Sequence, residues 1–259
     1  MGETTDRRYS AHSQILEHLE QKGVYELINF QLAPFHPYVN AANGDLAVYA
    51  SPTTLVVNGQ AAVVRLEGFL CPSDLDRTLG PWGPNNYRSS NGSNWTGRAG
   101  NGMFGQNSRT RFSDVLDGLG QTAMFSERAT GTWNRDLFDF RADLYDLGGV
   151  WTEDDFRDAC GALTPQTAQI YWQDIDGGQT WLEGNMNWTR YNHLLPPNRI
   201  GCKRGLTWDG SAMTASSRHP GGVNAVMGDA AVHFISDSID ADVWRAVGTI
   251  AGGDQGPKF

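Results

Sequence analysis

The residues of this 259-residue chain best suited to chemistry are a sparse set of imidazoles, carboxylates and thiols. There are six histidines, at positions 12, 18, 36, 193, 219 and 233. His193 and His219 fall in loop-like sequence, and Asp229 follows His219 after nine intervening residues. Two imidazoles and a carboxylate are a donor set for a metal ion or a general base. A hydrolase would therefore need His193, His219 and Asp229 to converge. Turn chemistry explains the same residues without catalysis: His219 orders its own loop through backbone hydrogen bonds, and Asp229 closes a turn through its carboxylate. The second reading is the stronger one, because the chain has no G-x-S-x-G elbow, H-E-x-x-H helix, P-loop or helix-opening G-x-G-x-x-G.

Asp174-Ile175-Asp176-Gly177-Gly178 offers alternating carboxylates before a flexible turn, a weak calcium signal that lacks the other ligands of an EF-hand. No other cofactor is predicted. Cys71, Cys160 and Cys202 permit three single pairings and leave one thiol over. Cys160 ends a predicted helix and Cys202 lies in the Ile200-Gly201-Cys202 loop, which favours that pair. Cys71, next to Pro72, is then a buried free thiol. A disulfide points to an oxidising compartment, outside the cytosol.

Composition narrows the partners. A net charge of −9 and a pI of about 5.0 argue against nucleic acid or an anionic membrane surface, both of which reward Lys and Arg clusters. Nine tryptophans, 82, 95, 133, 151, 172, 181, 188, 208 and 244, sit among Gly, Asn and Thr. They fill gaps between long loops, or, on the alternative reading, stack on sugars. Sequons at Asn91, Asn94 and Asn187 mark polar loop positions.

The elements that must position these groups read as α+β. Ser10 to Phe30 places Ile15, Leu16, Leu19, Leu27 and Ile28 on one helical face, broken at Gly23. Residues 46–49, 54–57 and 62–66 read as strands, with a hairpin signal at Asn58-Gly59. Residues 76–110 read as surface loops. Thr122–Arg128 and Trp181–Arg190 read as strands, and Thr152 caps a helix running through Cys160. A hairpin spans 223–235, and Asp237 or Ser238 caps a last short helix over 239–247, ended by Gly248. One domain is expected, with an insertion near 130–185 and a mobile tail over 252–259.

Several blocks carry a resemblance. Phe69-Leu70-Cys71-Pro72-Ser73-Asp74, Asn86-Tyr87-Arg88, Gly102-Met103-Phe104 and Arg111 to Gly118 with Glu127 occur in that order. Tyr191-Asn192-His193, Pro196-Pro197-Asn198, Cys202 and His219-Pro220-Gly221-Gly222 follow, and His219 and Asp229 stand at an H-x9-D spacing. Together with the opening Tyr9 to Phe30, the chain resembles the prepilin-type H-x9-DG domain of a planctomycete-type family of secreted, pseudopilin-like proteins of unknown function. Ala230 stands where that motif has Gly, and Gly228 is expected to supply the permissive backbone instead.

The resemblance implies a pilin- or pseudopilin-like head: an N-terminal helix packed on a mainly antiparallel sheet, with long loops and a C-terminal hairpin plus short helix. It also implies an exported bacterial structural protein of the cell envelope or exterior, without catalysis, whose partners are copies of itself or other pilin-like subunits. Family members begin with a leader and an apolar anchor helix, whereas Met1 to Arg8 is polar here. No membrane contact is therefore expected from the chain as given. The motif residues Cys71, Pro72, Ser73, Asp74, His193, His219, Gly221, Gly222 and Asp229 are expected to be structural. The alternatives are a secreted glycan- or solute-binding domain using exposed Trp and, further off, a hydrolase.

Overall fold

The strand Ala123–Glu127 (β2) is built from an apolar run that ends in charge, and it sits in the middle of a five-stranded sheet. A computed structural model describes residues 9–31, 34, 57–77, 80–149, 151–205 and 210–253. On one side of β2 lies the antiparallel Tyr87–Ser90 (β1), followed by the short parallel strand Arg190–Tyr191 (β5). On the other side the hairpin Gly222–Met227 (β8) and Val232–Ser236 (β9) adds two antiparallel strands. Along β8 the side chains alternate as period-two geometry requires. Val223, Ala225 and Met227 are fully buried, while Asn224 and Val226 face the opposite, partly open side.

A second sheet of four strands comes from Leu144–Asp146 (β3), Trp172–Asp174 (β4), Gly201–Lys203 (β6) and Ser211–Ala212 (β7), in the order β4-β3-β6-β7. Successive residues of β3 point to different cores. Leu144 packs with Val223, Ala225, Ile235 and Trp244 of the first sheet and last helix. Tyr145 packs with Phe156, Cys160, Leu194 and Cys202. The segment near 130–185, expected as an insertion, thus contributes half of a sheet that the C-terminal third completes.

Glu153–Gly161 (α4) starts at the predicted Thr152 cap, whose hydroxyl accepts from the Asp155 N–H. Cys160 near its end bonds Cys202 of β6, with a Cα–Cα distance of 6.0 Å and a sequence separation of 42. Cys71 is the free, buried cysteine. This bridge pins α4 to the second sheet. The double variant Cys160→Ala/Cys202→Ala is expected to lose about 3–4 kcal/mol, read as a shift in the urea midpoint, because the cross-link no longer restricts the unfolded chain.

The N-terminal segment is broken, as predicted, but elsewhere. Ala11–Ile15 (α1) continues into a 3-10 turn, and the chain reverses at Glu20, in the left-handed region at φ 59°. Gly23 lies inside the next helix, Lys22–Tyr25 (α2). α1 docks on the first sheet through His12, whose Nε2 sits 2.5 Å from the Tyr87 carbonyl and whose ring meets Phe69 and Phe125 edge-on. No helix among the described residues is long and apolar enough to cross a membrane.

Five expectations are corrected. Asn58-Gly59 is not a hairpin: it lies in the helix Val57–Ala62 (α3), where Asn58 Oδ1 accepts from the Asn29 N–H at 2.7 Å and Nδ2 donates to Tyr9 Oη at 2.8 Å. Residues 62–66 close that helix and run on without a ladder, while the strands expected at 46–49 and 54–56 lie outside the described residues. Trp181–Arg190 is a strand only at its end. It is wholly buried yet irregular, because Asn185 and its carbonyl take the Asn187, Trp188 and Thr189 N–H groups locally, in place of a ladder. Residues 76–110 are not only surface loop, since they contain β1, and the last helix, Ala241–Val247 (α6, after the short Pro165–Ala168, α5), is capped by Asp240.

β1 escapes a hydrophobic scan because it is Tyr-Arg-Ser-Ser. Its Arg88 is fully buried beside the equally buried Arg128. Arg88 Nη1 donates to the Asn187 carbonyl at 2.7 Å, and Arg128 donates to the Thr214 and Ala142 carbonyls. Burial lowers the basicity of both, and each guanidinium ties a long loop to the sheet through backbone oxygens.

Candidate functional site

The Phe69–Asp74 block is where Cys71 and Asp74 meet the loop that carries Arg218 and His219. Phe69 anchors it in the core below α1, and a tight turn brings the Asp74 N–H to the Cys71 carbonyl at 3.0 Å with Pro72 at the second position. Asn86, just before β1, accepts from the Cys71 N–H at 3.0 Å and donates to Asp74 Oδ2 at 2.6 Å. The same Asp74 oxygen accepts from Thr130 N and Oγ1 at 2.8 and 2.9 Å, while Oδ1 faces Arg218 Nε at 3.2 Å.

Charge alternates outward from there. Arg218 also binds Asp139, which takes Arg77 Nη1 at 2.6 Å on the other side. Burial pushes the Asp139 carboxyl up, but Arg218 and Arg77 together outweigh it and hold the group below its ordinary range. Next to this chain of ions is a cleft of about 420 Å³ walled by Cys71, Pro72, Asp74, Asn86 and Thr130.

Behind the turn, Glu127 closes β2 with its side chain only 4% exposed. Its Oε2 accepts the Asn224 N–H at 2.7 Å, and its Oε1 accepts Asn224 Nδ2 at 3.2 Å. His219 Nε2 lies 3.1 Å from the same Oε1. Cys71 Sγ completes a triangle, 3.8 Å from Glu127 Oε1 and 3.7 Å from His219 Nε2. Burial, and after it the charges of Glu127 and Asp74, push the thiol up. The backbone N–H groups of Ser73 and Asp74, aimed at the sulfur, pull it down.

The trio His193, His219 and Asp229 does not converge. His193 is buried under α6, with Nδ1 3.0 Å from the Trp244 carbonyl and its ring 4.1 Å from the Trp244 ring. Asp229 Oδ1 accepts the Ala231 N–H at 2.9 Å within its own turn. His219 and Asp229 flank β8, and six extended residues hold their backbones about 20 Å apart. Asp229 serves its turn, as the turn-chemistry reading holds, whereas the His219 ring does not order its own loop through backbone bonds but reaches across to Glu127 and Cys71.

The two glycines after Pro220 have separate reasons. Gly221 has φ +83°, and a Cβ on Gly222 would sit 2.2 Å from the Ile235 carbonyl of β9. At the far end of the hairpin, Ala230 itself takes the left-handed conformation, at φ 70°. Gly228 has an ordinary φ, which corrects the expectation that it relieves the turn. Ala230→Gly should therefore stabilise the protein by about 1 kcal/mol, measured by thermal or urea unfolding, since an alanine pays roughly 1–2 kcal/mol for that backbone.

The calcium candidates are engaged elsewhere. Asp174 pairs with Lys203 Nζ at 2.7 Å, and Asp176 accepts from Asn187 Nδ2 at 2.7 Å and Trp188 Nε1 at 3.4 Å. Asp176 is buried, so the pair forms no open acidic loop. Sequons Asn91 and Asn187 are buried too. Among the described tryptophans, 82, 181, 188 and 244 are buried, and 95, 133 and 151 are partly so. Trp172 is exposed, with the Arg135 guanidinium 3.7 Å over its ring; Trp208 lies outside the described residues.

Asn86 and Glu127 stand in the sequence only as members of the matching blocks, with no site role assigned, and Arg218, Asn224, Thr130 and Asp139 are site residues that sequence reasoning did not single out. A signal existed for Glu127 and Arg128: charge at the end of a strand otherwise apolar enough to be buried demands a partner.

A family model described as "Protein of unknown function (DUF1559)" matches residues 2–242. No curated protein and no solved structure gives a significant match.

Proposed function

Because the chain belongs to the DUF1559 family, a family of unknown function, we propose that it is a non-catalytic, exported structural protein, a pilin- or pseudopilin-like subunit or surface head. The observation that carries this reading is the use to which the motif residues are put. Asp74, Asn86, Glu127 and Arg218 each hold one loop or strand against another, Gly222 admits the close approach of β9, Gly221 and Asp229 shape their own turns, and none presents an activated nucleophile. The Cys160–Cys202 bridge supports an oxidising compartment. Partners on this reading are copies of the chain or related subunits, met through the loops and the open face of β9, where Val232 and Phe234 are exposed. A glycan-binding surface has less support, since it would require a pair of exposed, coplanar tryptophans, and the exposed Trp172 is already covered by Arg135.

Fractionation of the source cells, followed by intact-mass measurement of the recovered protein, tests the proposal. Recovery from the envelope or medium, disulfide-bonded and carrying an apolar N-terminal helix, is the expected result, with filament imaging as the next step. Recovery from the cytosol with Cys160 and Cys202 reduced would overturn it.

A further inference from the structure

We propose that Cys71, Glu127 and His219 form a three-donor site for a zinc-type divalent ion, with a fourth position open to water or an incoming ligand. The ligand atoms Sγ, Oε1 and Nε2 lie within 4.8 Å of one another. The triangle edges are 3.1 Å for N–O, 3.7 Å for S–N and 3.8 Å for S–O. One face of a zinc tetrahedron, with bonds of about 2.0–2.3 Å, has edges of about 3.3–3.6 Å. The three atoms therefore need to move only a few tenths of an ångström to bind.

The chemistry of the donors selects the ion. One thiolate, one imidazole and one carboxylate suit zinc and its neighbours, whereas calcium and magnesium avoid sulfur. Three protein ligands with an open fourth position is the arrangement of reactive or exchangeable zinc sites; structural ones are closed by a fourth protein ligand.

The groups around the donors favour binding as well. Asn224 holds both oxygens of Glu127, the Ser217 hydroxyl accepts the His219 backbone N–H at 3.1 Å, and Asn86 fixes the Cys71 backbone. Such outer contacts orient ligands before the ion arrives. Burial and the charge of Glu127 outweigh the Ser73 and Asp74 N–H groups directed at the sulfur and keep the thiol raised in the empty site, and a cation between Cys71 and Glu127 would turn their mutual repulsion into attraction. Binding requires neutral His219 and releases the Cys71 proton to solvent. The donors come from the turn before β1, the end of β2 and the loop before β8, so the ion would cross-link three segments already joined by hydrogen bonds. This inference is independent of the structural role proposed above, because a structural head serves that role with or without an ion.

The test is a cobalt(II) and zinc(II) titration of the metal-stripped chain with Cys71 kept reduced. One equivalent of cobalt should give tetrahedral d–d bands and a thiolate-to-cobalt charge-transfer band, and zinc should abolish both. Cys71→Ser should remove the charge-transfer band, and His219→Ala should weaken binding at least about tenfold. His18→Ala, an exposed histidine of the N-terminal segment, should change nothing. His219 is 29% exposed in its side chain, so its variant keeps the test usable if Cys71→Ser fails to fold. Absence of the charge-transfer band in the wild-type chain, or affinity unchanged in His219→Ala, overturns the site.

Discussion

Replacing Asp74 by alanine should cost about 3–5 kcal/mol of stability, comparable to or larger than the loss of the disulfide. Its carboxylate is 6% exposed and accepts Thr130 N, Thr130 Oγ1 and Asn86 Nδ2 on one oxygen while facing Arg218 on the other. Removing it strips Thr130 N and Oγ1 of their acceptor, which carries a desolvation penalty, and it leaves Asn86 Nδ2 only the Arg128 carbonyl and Arg218 only Asp139 as partners. Asp74→Asn should cost less, since its amide oxygen can still accept from Thr130, and most of what it loses is the Arg218 attraction. A double-mutant cycle with Arg218→Met isolates that attraction. Urea unfolding at pH 7 reads the stabilities. Reaction of Cys71 with a thiol reagent reads the local consequence, which should be faster labelling as the turn loosens. A loss below about 1 kcal/mol would mean that the turn is held by its backbone alone.

Acid should destabilise the fold well before its exposed carboxylates are fully protonated. His12 and His193 are completely buried, and burial first of all holds their pKa values at about 4 and about 3, against 6.5 in the free imidazole. The unfolded chain therefore takes up two protons below about pH 6.5 that the folded chain refuses. Stability contributed by neutral burial is complete above that pH and falls as pH drops, on the order of 3 kcal/mol per histidine by pH 4. Asp143 works in the opposite direction. Burial raises it to about 6 from 3.8, so it binds a proton in the fold before it does so in the unfolded chain, and it returns part of the loss between about pH 6 and 4. Urea midpoints at pH 7, 5.5 and 4 should fall, and the fall should be shallower in His193→Asn and steeper in Asp143→Asn. A slope unchanged by His193→Asn would show that this imidazole does not control the acid limb.

Much of the fold follows from local patterning. The β8–β9 hairpin, β2, the Thr152-capped helix, the break in the N-terminal helix and the Cys160–Cys202 pair all rest on short-range signals: alternation, caps, turn residues and a cysteine beside a helix end. Where the signals fail, buried polar groups have displaced hydrophobic ones. β1 is legible only once Arg88 is known to reach the Asn187 carbonyl, and 181–190 is irregular because asparagines satisfy its backbone. Asn58-Gly59 yields its hairpin preference to contacts with Tyr9 and Asn29, residues about thirty or more positions away.

The sequence by itself therefore determined the family, the α+β class and the turn roles of Gly221 and Asp229, because each depends on residues close together in the chain or on an ordered series of short blocks, and it favoured the Cys160–Cys202 bridge among three pairings. Tertiary structure alone decided which of the chemistry-bearing residues meet. His219 and Asp229 share a motif yet are held apart by the strand between them, whereas Cys71, Glu127 and His219, spread over some 150 positions, come within contact distance. Strand pairing sets that outcome: β1 beside β2 and β2 beside β8 bring three chain segments to one corner of the sheet, a juxtaposition that no local spacing encodes.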